Sequence, residues 1–519
     1  MYVNRNNVEK RRTIIGNNRP VITRKYFYIF ALALWLFIQS CYSIGYLKKP
    51  ASTDPVLIFQ EKMNGILKDS VLYQAHVGIK IVSLDRNEVL YEKNSHKLFH
   101  PASNMKIITT ATALKKLGVD FKFKTEVLVD TPGISDGKIK GNLYLRGGGD
   151  PDLTSDDLRK MIQTLKEQGI TEIEGDLICD ESYFDELFLG SGWMWDDASC
   201  WECAAISALS VNDNCVEVYL QPAPLIGEKP MVTINPATNY VKIDNQGITV
   251  DSLDTFQLQK FRIEREWIHP SNVIHIEGGI ANNIPKVIGV VDVHEPALYT
   301  GTLFRELLAD ADIKFSGTIK KGVTSSNAIS VLTYWSKPLS LVVYNTNKES
   351  DNLSAELILK TMGAEKKNSP GTSHKGIAVI NEYLHEIGMD SSRFRLADGS
   401  GVSRYNLVSP ELLVAILKDM HHDSKVQAEF KSSLPIAALD GTLKKRMKDT
   451  PAAGNLRAKT GSLSDVSTLS GYATSADGEN LAFSLMMIHF NVPMSHIRTL
   501  QDKIGEAISS FHRSSSKLK

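Results

Sequence analysis

The 519 residues predict a multidomain α+β fold in which an antiparallel sheet flanked by helices is interrupted by a β-rich insertion. Three observations carry that reading. Alternating apolar strands lie toward both ends of the chain, amphipathic helices accompany them, and residues 121–306 change to short β-like runs broken by turn signals.

Residues 1–50 read as an export signal. Arg19, Arg24 and Lys25 precede an apolar run from Tyr26 to Ile38, followed by Gln39-Ser40-Cys41. The run is shorter than the ~18 residues of a spanning helix, so a processed signal is expected over a permanent anchor, although Pro20 to Tyr46 can be stretched into one. Cys41, after Ile38 and Ser40, resembles a lipoprotein cleavage site, from which Gln39 departs, and is the candidate lipid attachment point to a membrane.

Residues 51–120 open a sheet with the hairpin Val77 to Val82 and Glu88 to Tyr91, turning across Asp85-Arg86-Asn87. A helix follows Pro101, with Met105, Ile108, Ala111 and Leu114 at helical spacing and Lys115, Lys116 and Gly118 closing it. Within 121–306, Lys140 to Leu145 and Val287 to Val293 read as strands, and Leu158 to Leu165 as a helix capped by Ser155 and ended by Gly169. Gly147-Gly148-Gly149 is read as a tight turn, because no Gly-Lys-Ser/Thr follows to make a phosphate loop. Residues 307–519 return to the first domain through Thr468 to Thr474, a turn at Asp477-Gly478, and Leu481 to Ile488. The apolar stripe Ile497, Leu500, Ile504, Ile508 and Phe511 marks a closing helix.

With 59 basic and 59 acidic residues the formal charge is zero, which gives no broad pull toward nucleic acid. No cofactor or metal is expected. Apart from Cys41, the four cysteines lie between Cys179 and Cys215, and an even number in an exported chain suggests disulfides, with Cys200 to Cys215 one candidate link. The Cys200-x-x-Cys203 pair has neither a βαβ setting nor a histidine pair to support a redox or zinc role.

Three strings in fixed order bear the chemistry: Ser103-Asn104-Met105-Lys106, Ser350-Asp351-Asn352 and Lys459-Thr460-Gly461-Ser462. Residues three apart on a helix share a face, so Lys106 meets Ser103 there. A serine hydroxyl becomes nucleophilic when a neighbouring base takes its proton, and a lysine can be that base if burial or positive charge lowers its pKa. Ser103, in the first turn, has a backbone N–H suited to an oxyanion. Each string alone is weak, since the polar tail repeats the first pattern at Ser514 to Lys517. Order and setting give them weight.

The trio is the signature of serine β-lactamases and penicillin-binding proteins. Together with LRGGGDPDL (145–153), Gly192 to Val218, ADGSGVSRYN (397–406) and Leu434 to Tyr472, the chain from about residue 55 resembles the D-alanyl-D-alanine carboxypeptidase/endopeptidase family, the low-molecular-mass class C penicillin-binding proteins. The resemblance implies a penicillin-binding-protein/β-lactamase-like transpeptidase domain with domains inserted between the first two strings. It implies a Ser103 acyl-enzyme on peptidoglycan stem peptides, acylating inhibition by β-lactams, and a periplasmic or cell-envelope location. Lys106 is then the base, Ser350 relays a proton to the leaving amine, and the N–H groups of Ser103 and Ser462 form the oxyanion hole. Lys459 supplies positive charge that depresses the Lys106 pKa and attracts the substrate carboxylate. Thr460 and Ser462, beside Gly461, hold that carboxylate, and Asn352 holds the peptide amide. Ser462 stands where the family usually has threonine, which keeps the hydroxyl. Asp197, or Asp196 given the short spacing to Cys200, and Arg404 match positions that read the charged end of a diamino acid in the stem, with a structural ion pair or loop-capping role as the other reading.

Two other functions share the strings. A class A β-lactamase needs a deacylating glutamate beside an asparagine, a context that Glu382 in NEYLHE lacks. A non-catalytic envelope scaffold would not need all three strings complete.

Overall fold

The computed structural model describes residues 32–33, 54–131, 133–197, 199 and 201–513, with the backbone alone at 196. Cys41 and nearly all of the expected export signal lie outside the described residues, as does Cys200. Among the described residues no helix is long and apolar enough to cross a membrane. The described residues from 55 onward form one compact unit.

Its organising element is a five-stranded antiparallel sheet of β1 (His76–Ser83), β2 (Glu88–Lys93), β3 (Arg457–Leu463), β4 (Val466–Thr474) and β5 (Asn480–Ile488), in the order β2-β1-β5-β4-β3. Successive side chains of a strand point to opposite faces. In β5, Leu481, Phe483, Leu485 and Met487 therefore join one core with Phe59 and Met63 of the helix Pro55–Ile66, while Ala482, Met486 and Ile488 join another with Ile107, Ile108 and Ala111. Burial on both faces explains why β5 reads as a nearly continuous apolar run.

Helix α1 (Met105–Leu117) crosses the second face, with Lys115 and Lys116 in its last turn and Gly118 at its C-cap. Beside it lie α2 (Leu339–Glu349) and α3 (Asn352–Lys367). On the other face α4 (Met494–Ser509) buries Ile497, Leu500, Ile504 and Ile508, and Phe511 meets the Phe59 ring edge-on at 5.2 Å.

The inserted segment has its own core, centred on Val127, Leu145, Leu177, Tyr299 and Phe304. It extends further than residue 306. Leu307, Leu308 and Ile313 belong to its core, because the helix Pro296–Asp310 runs straight through the expected boundary. Strand Ile329–Trp335 then pairs antiparallel with Lys124–Val129, and Leu339 donates to the carbonyl of Phe121 at 2.7 Å. The chain thus leaves and re-enters the first domain side by side, with the return near residue 336 rather than 307.

Other sequence expectations shift locally. Of the run Lys140 to Leu145 only Leu143 to Leu145 are in a strand, Leu143–Arg146, and the strand before it, Lys138–Ile139, lies in a different sheet. Asp130 causes the break: its carboxylate accepts the Asn142 N–H at 2.8 Å and packs against Gly141. Thr154, not Ser155, caps the helix Ser155–Glu167 through a reciprocal capping box with Asp157. Cys179 is a buried free thiol whose pKa burial pushes up to about 12, so the four cysteines do not form two bridges.

Replacing Thr154 by Ala removes an N-cap worth about 1 kcal/mol. The urea midpoint of the Thr154→Ala protein is expected to fall, with the slope of the transition unchanged.

Candidate active site

Ser103 lies in a single 3-10 turn, Ala102–Asn104, that leads directly into α1. Strand β3 runs against this turn. Asn104 donates to the Lys459 carbonyl at 2.9 Å, and Thr468 on β4 donates to the Pro101 carbonyl at 2.8 Å. Gly461 allows the approach: a Cβ there would stand 2.2 Å from Thr468 Oγ1 and 3.0 Å from Ser103 N. Gly401 plays the same part on the other side, where a Cβ would meet the Ala102 carbonyl at 1.9 Å and φ is +92°.

The second string occupies the break between two helices. Ser350 ends α2 with φ +65°, in the left-handed region that non-glycine residues seldom enter. Asp351 caps α3 by accepting from the N–H groups of Leu353 and Ser354. The turn brings Ser350 and Asn352 together over α1. Backbone strain of this kind gathers at functional sites.

Two lysines lie fully buried between these elements. Lys106 Nζ donates to Ser103 Oγ at 3.2 Å, to Asn352 Oδ1, and to the Ser400 carbonyl at 2.9 Å. Lys459 Nζ donates to Ser350 Oγ at 2.8 Å and to its neighbour Thr460's carbonyl at 3.0 Å. Burial pushes the Lys106 pKa down to about 8, against the upward pull of Asp351, Asp398, Glu356 and Glu202. Burial, and then the Lys106 charge, hold Lys459 well below the usual lysine range. The depression expected of Lys106 from Lys459 therefore runs mainly the other way, because the four carboxylates face Lys106.

Ser103, Asp197, Ser350, Asn352, Thr460, Gly461 and Ser462 line one cavity of about 650 Å³. Thr460 donates to Thr442 Oγ1 at 2.8 Å, and Arg498 donates to Ser462 Oγ at 3.1 Å. Asp197 accepts the Met194 N–H at 2.8 Å. Arg404 is not in this lining. It pairs with Asp465 at 3.4 Å and donates to the Ser464 carbonyl at 3.0 Å, holding the turn between β3 and β4, which is the structural ion pair. Glu382 also stands apart, in a surface ion pair with Lys367.

Sequence reasoning missed the contributions made by backbone. The Ser400 carbonyl anchors Lys106, and the Glu202 carbonyl accepts from Asn352 Nδ2 at 2.7 Å. ADGSGVSRYN was singled out as a string, but nothing in a side-chain pattern reports which carbonyl faces a lysine. Trp201, Glu202 and Cys203 make the inserted segment a wall of the cavity.

Comparison with known proteins agrees with this geometry. The model of the D-Ala-D-Ala carboxypeptidase 3 (S13) family matches residues 59–506. A D-alanyl-D-alanine carboxypeptidase of an Actinomadura species is 33% identical over 445 residues, covering 82% of this chain and 80% of that protein. The D-alanyl-D-alanine carboxypeptidase DacB of Haemophilus influenzae is 29% identical over 412 residues, covering 79% and 84%. The crystal structure of penicillin binding protein 4 (dacB) from Haemophilus influenzae superposes with a TM-score of 0.75 at 25% identity, covering 86% of this chain and 97% of that one. With its three strings closed around one cavity and the family model spanning nearly all of the described residues, the chain belongs to the D-Ala-D-Ala carboxypeptidase 3 (S13) family.

Proposed function

We propose that this chain is a serine-type D-Ala-D-Ala carboxypeptidase of peptidoglycan stem peptides, working through an acyl-enzyme on Ser103. The observation that carries the reading is the pair of contacts Lys106 Nζ to Ser103 Oγ and Lys459 Nζ to Ser350 Oγ in one cavity. Neutral Lys106 takes the Ser103 proton as Oγ attacks the penultimate D-alanine carbonyl. The N–H groups of Ser103 and Ser462 receive the oxyanion. The C–N bond then breaks, and Ser350 passes a proton to the departing amine. Water hydrolyses the ester and frees Ser103.

The substrate carboxylate fits beside Thr460, Ser462 and Lys459. Lys459 is short of negative neighbours, so the arriving carboxylate supplies a counter-ion and favours its protonated form. A positive Lys459 in turn keeps Lys106 neutral. Asp197 reads a charged group of the stem, a role supported by its place on the cavity wall. A β-lactam acylates Ser103 by the same attack, and its release is slow.

The acylation rate follows the neutral fraction of Lys106. Since its pKa lies near 8, that fraction grows as pH rises, so the rate climbs about tenfold per pH unit below 8 and levels above it. Stopped-flow acylation by a fluorescent penicillin checks this, and a flat profile between pH 6 and 9 removes Lys106 from the role of base.

Incubation with purified muropeptides is expected to shorten pentapeptide monomers by one D-alanine, with no product from Ser103→Ala. Loss of cross-linked dimers in the same digest adds D,D-endopeptidase action. Intact monomers with the wild-type protein would overturn the assignment.

We also propose that the chain is exported to the cell envelope and lipid-anchored through Cys41, on the strength of the basic start, the apolar run to Ile38 and the cysteine that follows. Mass spectrometry of the mature N-terminus should find a diacylated Cys41. Cleavage after Ser43 would defeat it.

A further inference from the structure

Glu356 is a fully buried carboxyl that the reaction above leaves unused. It follows Asn352 by one turn of α3, so both side chains share a face. Asn352 touches Lys106 directly. Glu356 reaches it through the chain: its Oε1 accepts the N–H groups of Gly399 at 2.9 Å and Ser400 at 2.8 Å, and the Ser400 carbonyl accepts from Lys106 Nζ.

The second oxygen, Oε2, is buried with no hydrogen-bond partner. A carboxylate left so poorly solvated is costly. Burial and the nearby Asp398 push the Glu356 pKa up to about 7. The neighbouring Asp398 has both oxygens occupied: it accepts from Gly401 N–H at 2.9 Å, Asn406 Nδ2 at 2.6 Å, Ser403 N–H at 2.7 Å and Trp193 Nε1 at 3.1 Å.

We propose that Glu356 is the positioning residue for the Lys106 base: its Oε1 clamps the 399–400 backbone, so that the Ser400 carbonyl holds Lys106 Nζ on Ser103, while its charge sets where Lys106 titrates. The charge matters because an anion at Glu356 favours protonated Lys106. The other groups facing Lys106 are Asp351 from the start of α3, Asp398 from the 398–403 loop, Glu202 from the inserted segment, and Lys459 from β3, whose own titration is coupled to Lys106. Glu356 differs from the other carboxylates in lying behind the lysine with one oxygen unpaired.

The inference rests on Lys106 being the base, and one experiment separates the two. Acylation by a fluorescent penicillin is followed from pH 5.5 to 9.5 in the full chain. Glu356→Gln keeps an acceptor for both N–H groups and removes the charge, so acylation stays within about threefold of wild type near pH 8 while the midpoint moves to lower pH. Glu356→Ala leaves the loop unclamped and slows acylation about tenfold or more. A midpoint in Glu356→Gln that is unchanged or raised overturns the proposal, as does wild-type acylation by Glu356→Ala. If the Ala protein does not fold, the Gln profile alone decides. A wild-type rate that ignores pH instead defeats the reading of Lys106, which the same data show.

Discussion

The burial of Lys106 beside Lys459 is the constraint around which the site is built. A lysine withdrawn from water gives up its proton more readily, and two neighbouring lysines resist being charged together. The protein surrounds each ammonium with oxygen: Ser103, Asn352 and Ser400 for Lys106, Ser350 and Thr460 for Lys459. Four carboxylates then bias the remaining charge toward Lys106. This arrangement makes a proton easy to move between serine, lysine and substrate, which is the task of an acyl-transfer site.

Precision in that arrangement comes from backbone approaching backbone. Strand β3 can lie against the Ser103 turn only because Gly461 has no side chain, and the 398–403 loop can lie against Ala102 only through Gly401. The sheet pins one wall, through Asn104 to Lys459 and Thr468 to Pro101. The inserted segment supplies another, through Glu202 to Asn352 and Trp193 to Asp398. The insertion is therefore part of the site's architecture.

What could be read from the sequence was what has a side-chain period or a fixed spacing. The strands of β4 and β5, the apolar stripe of α4, and Ser103 three residues before Lys106 all announce themselves in that way. Long-range choices left no such mark. Nothing near Glu306 shows that its helix belongs to the inserted core, because the partners it packs against, Leu165 and Leu177 among them, lie far back in the chain. Thr154 and Ser155 are both good caps, and only the reciprocal bond to Asp157 selects Thr154. For Arg404 the sequence left a substrate reader and an ion pair both open, because its neighbour Asp465 lies in the distant turn between β3 and β4. The carbonyls of Ser400 and Glu202 belong to no residue type and so could not be anticipated.

The pairing of β1 with β5 has a consequence for how the molecule comes into being. His76 lies opposite Ile488, and β3, the strand that carries Lys459, joins the sheet only through β4 and β5. A growing chain that has emerged as far as Ser103, or even Ser350, still lacks the strands that close the sheet. Such distant pairing is slow, since the long loop must be closed before any contact rewards it. The nucleophile is thus made early and armed last, and a nascent or truncated chain carries the serine without the means to use it.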